Sequence, residues 1–430
     1  VSSTTIAVLG IVILLGVLFL RLPVSFAMLG VGFFGAISLT NQDAALQLLA
    51  SDLYRQFSSY TMAVVPLFIL MGQIIFRTGM SSKLFDAAYK WVGHFPGGVA
   101  ATTILASIGF SAVSGSNSAA TATMGSVALP EMKKYNYDPR LAGGAVAVGG
   151  TLGILIPPST ALIIIAVQSE QSITTLFGAA LLPGILTGVA LLGTVFLISL
   201  LNPKLGPAGP KATWGERFRS LSGAIEVGIL FTVAIVGMFI GLFTPTEAAA
   251  VGAFGAIVIG VVTRSLGLKL FWQCVIETLR MSAMVILLVA AAIVFGRFLA
   301  LSRVPFDLAA WVADLPVSPV IVALIVIAIY LVGGALMDAL GFLVISIPLL
   351  FPVLTGLGYD LVWVTIVLTL VTTIGAITPP VGVNVFITSG IDKSLDVVTV
   401  FRGCMPFLIP FGIMIALFFL FPGIILFSVG

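Results

Sequence analysis

The sequence predicts an all-α polytopic membrane protein built as an inverted structural repeat, with ten transmembrane helices and two re-entrant helical hairpins. Three observations predict it. Hydrophobic residues make up 60% of the 430 and charged residues only 8%, with a mean hydropathy of +1.23, a composition from which no ordinary water-exposed surface can be made. A pattern in the first half returns in the second: Tyr137-Asp138 as Tyr359-Asp360, Pro130 as Pro352, and Gly153 with Pro157-Pro158 as Gly375 with Pro379-Pro380, all at an offset of 222 residues. Basic residues, finally, segregate to one side of the predicted crossings. A repeat of this length is too long for a solenoid unit and marks internal duplication of a membrane protein.

The elements follow from apolar runs long enough to cross a hydrocarbon core as helices. In the first repeat (1–201) crossings fall at 4–20, 23–40, 58–76, 140–168 and 172–201. In the second (224–430) they fall at 224–242, 246–263, 275–296, 361–391 and 396–427. The segment 4–20 has no basic region before it and no small-residue cleavage site, and reads as a retained helix. Between the third and fourth crossing of each half lies an apolar segment broken at its centre: 97–132, interrupted by Ser114-Gly115-Ser116-Asn117-Ser118, and 318–355, interrupted by Gly333-Gly334 and Asp338. These read as the hairpins. Residues 80–92 and 303–315 read as amphipathic surface helices.

With the N-terminus outside, the inner side receives sixteen basic residues, Arg21, Arg77 and Lys133 among them, and the outer side only Arg55, Arg297 and Arg303. That is the positive-inside bias. Five crossings per half then force the halves into opposite orientations and leave both termini outside. Residues 202–223, with Pro203, Pro207 and Pro210 before Trp214-Gly215-Glu216-Arg217-Phe218-Arg219, form a cytoplasmic linker. It ends in a short interfacial helix whose basic face meets anionic lipid headgroups.

Two proline pairs carry the chemistry. Pro157-Pro158 and Pro379-Pro380 cannot donate backbone hydrogen bonds, so each helix unwinds there and frees carbonyl oxygens. A cation is one partner for such oxygens, and a packing kink satisfied by neighbouring helices is the other reading. In the first hairpin, Ser114, Ser116 and Asn117 stand where the second arm begins, with its N-terminal dipole aimed at mid-membrane and suited to an anion. Asp338 aligns with Ser116 and either caps its helix or contacts substrate. Asp338 is also the one acidic residue well inside a predicted membrane segment, which favours Na⁺ over a proton as coupling ion. His94, in a connector, is read as incidental, and Cys274 and Cys404 as packing residues.

No Gly-x-x-x-x-Gly-Lys-Ser/Thr loop is present, so the chain itself does not hydrolyse ATP. Clusters of Cys and His are missing too, and Asp338 has no partner for intramembrane hydrolysis. The chain is not expected to be an enzyme or to bind nucleic acid.

Three motifs carry a family resemblance: Gly149-Gly150-Thr151-Leu152-Gly153 through Pro157-Pro158-Ser159, Phe243-Thr244-Pro245-Thr246-Glu247-Ala248-Ala249, and Gly375-Ala376-Ile377-Thr378-Pro379-Pro380-Val381-Gly382-Val383-Asn384. Over essentially its whole length the chain resembles the large membrane subunit of tripartite ATP-independent periplasmic (TRAP) transporters. The resemblance implies a Na⁺-driven importer in the bacterial inner membrane, working with a small four-helix membrane subunit and a periplasmic substrate-binding protein. Its substrates would be organic anions such as sialic acid or C4-dicarboxylates, moved by an elevator of transport domain against scaffold. It also implies ion sites on Ser114, Ser116, Gly150, Gly153 and Pro157 in one half and on Gly334, Thr373, Gly375, Thr378 and Met405 in the other. Substrate would lie near Ser116, Asn117, Ser159, Asp338 and Asn384. A self-sufficient dicarboxylate or citrate carrier without a binding protein, and a channel, are the competing classes.

Overall fold

The computed structural model describes residues 2–20 and 22–427; Arg21, counted above among the inner basic residues, lies outside them. The described residues are helical and contain no strand. The first half runs through α1 (Ser3–Phe19), α2 (Val24–Leu39), α3 (Gln42–Phe57), a 3₁₀ turn (Tyr60–Ala63) leading into α4 (Val64–Arg77), α5 (Met80–Val92), α6 (Gly98–Ser114), α7 (Asn117–Lys134), α8 (Pro139–Leu155), α9 (Thr160–Gln168) and α10 (Ile173–Leu201). The second runs through α11 (Trp214–Phe231), a π-helical turn (Thr232–Val236), α12 (Gly237–Phe239), α13 (Pro245–Val262), α14 (Leu268–Ser302), α15 (Val304–Ala313), α16 (Pro319–Leu336), α17 (Ala339–Gly356), α18 (Leu361–Gly375), α19 (Val383–Ile391), α20 (Val397–Leu420) and α21 (Gly423–Leu426).

Side chains read from the repeat set the helix starts. Asp138 Oδ1 accepts from Arg140 N (2.9 Å) at the head of α8, and Asp360 Oδ1 accepts from Val362 N (2.8 Å) and Trp363 N (3.1 Å) at the head of α18. The recurring Tyr-Asp pair is thus a recurring N-cap. Thr244 and Glu247 close a reciprocal capping box on α13, with Pro245 at its first turn, and Thr213 and Glu216 do the same for α11. Among the described residues, nine stretches are long and apolar enough to cross a membrane, including both arms of the second helix pair, α16 and α17. The expected crossings α1 and α2 are apolar helices of 17 and 16 residues.

Three features differ from the sequence reading. The expected interfacial helix and the crossing at 224–242 are one continuous stretch, Trp214–Phe239, because the capping box starts the helix at Thr213 and nothing in 220–226 stops it. Helix α14 runs 35 residues, beyond the expected 275–296 at both ends. The expectation also missed α3, whose apolar content is too low to read as a crossing. Its Asp52, 6% exposed, accepts from Arg297 Nη2 at 2.6 Å and from Arg297 Nε at 3.1 Å, joining α3 to α14.

Packing separates two groups. Helices α6 and α7 pack on α8, α16 and α17 on α18, and α20 lies against α8, while α2 packs on α14 and α4 on α13 and α14. Helix α5 joins the groups and packs on α11, where Lys83 bonds Glu226 at 2.9 Å and Trp91 sits edge-on to Trp214 and Phe218.

The linker is tied down along its length. Asp138 N donates to Leu205 O (3.0 Å), Gly97 N to Gly206 O (2.7 Å), Tyr137 Oη to Pro207 O (2.9 Å), and Gly209 N to Gly93 O (2.9 Å). Proline carbonyls remain good acceptors although the ring removes the donor, so a proline-rich segment suits a strap held largely through its oxygens. Tyr137 also accepts from Val99 N at 3.0 Å. Burial pushes its phenol up to about 12, and it remains a protonated donor at neutral pH.

Candidate functional site: helix breaks around a central cavity

Helix α6 ends because Gly115 adopts a left-handed conformation (φ +60°), which a residue without Cβ reaches at no steric cost. Ser116 then caps α7, its Oγ accepting from Ala119 N at 3.4 Å. The freed Gly115 carbonyl accepts from Thr160 N (3.2 Å) and Thr160 Oγ1 (2.8 Å), so the tip is bonded to the residue two past Pro157-Pro158. With its amide oriented by the acceptors around it, Asn117 Nδ2 donates to Gly150 O (2.9 Å) and Thr151 O (3.0 Å). A Cβ on Gly153 would stand 2.7 Å from Ser116 C and O, and one on Gly150 would overlap Thr121 Oγ1. The structure therefore brings Ser116, Asn117, Gly150 and Gly153 together, with Ser114 beside them at the tip.

Pro157 and Pro158 deprive the carbonyls of Gly153 and Ile154 of their helical donors. Among the described residues neither oxygen accepts any other hydrogen bond, although the whole stretch 151–160 is buried. Ser114 Oγ is buried without a partner as well. Buried oxygens of this kind are costly unless something supplies a positive or donor group.

The second break is arranged differently. Pro379 and Pro380 remove the helical donors of Gly375 O and Ala376 O, but Thr378 N (3.0 Å) and Asn384 N (3.0 Å) replace them. Val381 N and Gly382 N donate to Ala335 O at 3.1 and 3.4 Å, tying this loop to the end of α16. A Cβ on Gly375 would overlap the Gly334 backbone, and one on Gly334 would lie 2.6 Å from Thr372 O. The hydroxyls of Thr373 and Thr378 donate to Leu370 O (2.7 Å) and Ile374 O (2.8 Å), which leaves their lone pairs as acceptors. Gly334, Thr373, Gly375 and Thr378 thus share one locality, whereas Met405 lies on α20 with 41% of its surface exposed.

A cavity of about 570 Å³ opens between the tips and α2, α4 and α14. Ser114, Ser116, Asn117 and Asp338 reach it from the tip side. Asp338 caps α17, its Oδ2 accepting from Leu340 N (3.2 Å) and Gly341 N (3.4 Å). Ser159 and Asn384 are placed elsewhere. Ser159 is fully buried and caps α9 through Leu162 N (3.3 Å), and Asn384, also fully buried, donates to Ala147 O at 3.0 Å and so joins α19 to α8. Sequence reasoning named none of five further polar residues that line the cavity, Ser25, Gln73, Ser118, Thr123 and Thr160, as site residues. Gln73 had a signal, a lone amide inside the apolar run of α4.

Beside this geometry, the sequence itself matches a known family. The model of the DctM component of tripartite ATP-independent periplasmic transporters matches residues 11–424. The chain belongs to the DctM family. Among DctM-family relatives, the C4-dicarboxylate TRAP transporter large permease protein of Pseudomonas aeruginosa is 34% identical over 379 residues, covering 88% of each chain. The sialic acid TRAP transporter large permease protein of Vibrio cholerae is 32% identical, covering 95% of each. The 2,3-diketo-L-gulonate counterpart of Escherichia coli is 31% identical, covering 96% of each. In fold, the chain is similar to the Alcanivorax borkumensis YdaH transporter, with a TM-score of 0.65 at 13% identity over 89% of this chain and 90% of that one. The chain is a multi-pass membrane protein of a TRAP transporter, and its relatives are permeases rather than enzymes.

Proposed function

We propose that this DctM-family chain is the carrier of a Na⁺-coupled importer of organic carboxylates, of the sialic acid or C4-dicarboxylate class. In this reading it sits in the bacterial inner membrane with both termini periplasmic, beside a small four-helix subunit, and receives substrate from a periplasmic binding protein. The observation that carries the proposal is the first break, where the buried carbonyls of Gly153 and Ile154 and the hydroxyl of Ser114 stand without donors at the edge of the cavity. A hard cation such as Na⁺ takes several oxygen ligands, and these are oxygens with no other partner.

The second break, with Gly334, Thr373, Gly375 and Thr378, is the second ion locality of this proposal. Substrate occupies the cavity between Ser116, Asn117 and Asp338 on the tips and the wall formed by α2, α4 and α14. The grouping of helices supports an elevator in which α6–α9 and α16–α19 move as a body past that wall, with the cavity on the boundary.

The test is uptake of labelled succinate and sialic acid into proteoliposomes holding the chain and its small subunit, with and without binding protein, under an inward Na⁺ gradient. Uptake that requires both Na⁺ and binding protein is expected. Na⁺-driven uptake without binding protein replaces this reading with a self-sufficient carrier, and non-saturable flux replaces it with a channel.

A further inference from the structure

We propose that Gln73 on α4 is a substrate-contacting donor on the wall opposite the tips, recognising a carboxylate through its side-chain amide. The inference rests on the carboxylate-import reading above and adds a specificity-determining residue to it.

The cavity poses a chemical problem. No Lys or Arg lines it among the described residues, and the one formal charge on its wall is the carboxyl of Asp338. An anion there must be held by neutral N–H and O–H donors. The Asn117 amide is committed to Gly150 O and Thr151 O and the Thr160 hydroxyl to Gly115 O, which leaves the single hydroxyls of Ser25, Ser114, Ser116, Ser118 and Thr123 and the amide of Gln73 as the remaining side-chain donors. Gln73 is different. Its Nε2 lies 3.3 Å from Met281 Sδ and has no oxygen acceptor, and a thioether accepts only weakly. An amide with two N–H groups therefore faces the cavity half-buried and under-used.

Its position suits the role. At the neighbouring Gly72 the tip comes to backbone contact with α4, since a Cβ there would lie 3.1 Å from Val113 O and 3.2 Å from Ser114 Cα. Gln73 stands next to that contact but on the helix that packs with α13 and α14. A carboxylate bonded to it spans both sides of the boundary. When the tips move away from α4 the bond is lost, so Gln73 sets affinity in one state and leaves the rate of the movement alone.

The test compares wild type, Gln73→Met and Gln73→Glu in the same proteoliposomes, with uptake of succinate and sialic acid normalised to folded protein. Methionine keeps the length and the contact with Met281 but removes both donors. The expected result is a KM raised about tenfold for carboxylate substrates in Gln73→Met with Vmax little changed, the size of a lost hydrogen bond to a charged group. Gln73→Glu is expected to lose more, because it sets a second carboxylate against the substrate. Unchanged KM in Gln73→Met overturns the inference while leaving the import reading intact, as does a fall in Vmax alone, which marks a structural role. Absence of uptake by wild type overturns both. If Gln73→Met folds poorly, Gln73→Asn gives the readout: the same amide one methylene shorter raises KM, and an unchanged KM overturns the inference.

Discussion

At Pro157-Pro158 the chain is enclosed, and at Pro379-Pro380 it is open. Every residue from 151 to 160 is buried, while Pro379 and Pro380 are exposed and Val381 keeps 37% of its surface. Hydrogen bonding runs the other way. The enclosed break leaves Gly153 O and Ile154 O without donors, whereas the open one satisfies Gly375 O and Ala376 O through Thr378 N and Asn384 N. The surroundings differ in step: α6, packed against α8, is buried over most of its length, and α16, packed against α18, exposes Leu324, Ile325 and Val332. One sequence device, repeated at a fixed offset, thus ends in two electrostatic conditions. The motif frees the carbonyls, and the neighbours decide whether they stay free. In the Na⁺-coupled reading this makes the first break the tighter ion locality.

The largest effects should come from closing the gaps at the two glycines. Gly153→Ala places a methyl against the Ser116 backbone, and Gly375→Ala places one against Gly334, each a steric insult of about 1–3 kcal/mol. Half-saturating Na⁺ for uptake is expected to rise about tenfold in Gly153→Ala, since about 1.4 kcal/mol is a factor of ten, and clearly less in Gly375→Ala despite its closer contact, because the carbonyls of that break already have backbone donors. Equal shifts would break the comparison. Asn117→Ala and Asn384→Ala each remove bonds to carbonyls of α8, two for Asn117 and one for Asn384. Thermal unfolding should report losses of about 1–3 kcal/mol, the greater for Asn117.

Thiol labelling sharpens the contrast in burial directly. Val381→Cys should react readily with a maleimide and Ser159→Cys should not, over a low background because Cys274 and Cys404 are buried. The smallest effect is expected away from both breaks. Tyr137→Phe loses the hydroxyl that holds Pro207 O and Val99 N, at a cost of about 1 kcal/mol, and trypsin should then cut faster after Lys204 or Lys211.

The sequence made the helices legible wherever apolar length decided them, and the repeat located both breaks to the residue. It was silent where a partner decided. Helix α3 forms an amphipathic layer whose buried Asp52 is tolerable only because Arg297, 245 residues away, reaches it. The junction at 223–224 looked like a boundary because its charges suggested an interface, yet Glu226 is accommodated on one continuous helix by pairing with Lys83. At the site, Ser116, Asn117 and Asp338 could be read as cavity residues because tips carry few alternatives. Ser159 and Asn384 could not be told from them, since only three-dimensional packing turns one side chain toward a cavity and its neighbour toward a carbonyl of α8.

The strapped linker has a consequence for dividing the molecule. Its bonds run from Leu205 to Gly209 and all end on the first half, whereas the capping box that starts the second half begins at Thr213. A chain severed between Lys211 and Ala212 would leave each fragment with its own ends satisfied, and co-expressed fragments should reassemble. A cut at Asn202-Pro203, a few residues earlier, would hand the strap to the wrong fragment and leave Gly97 N and Asp138 N without their covalently delivered acceptors.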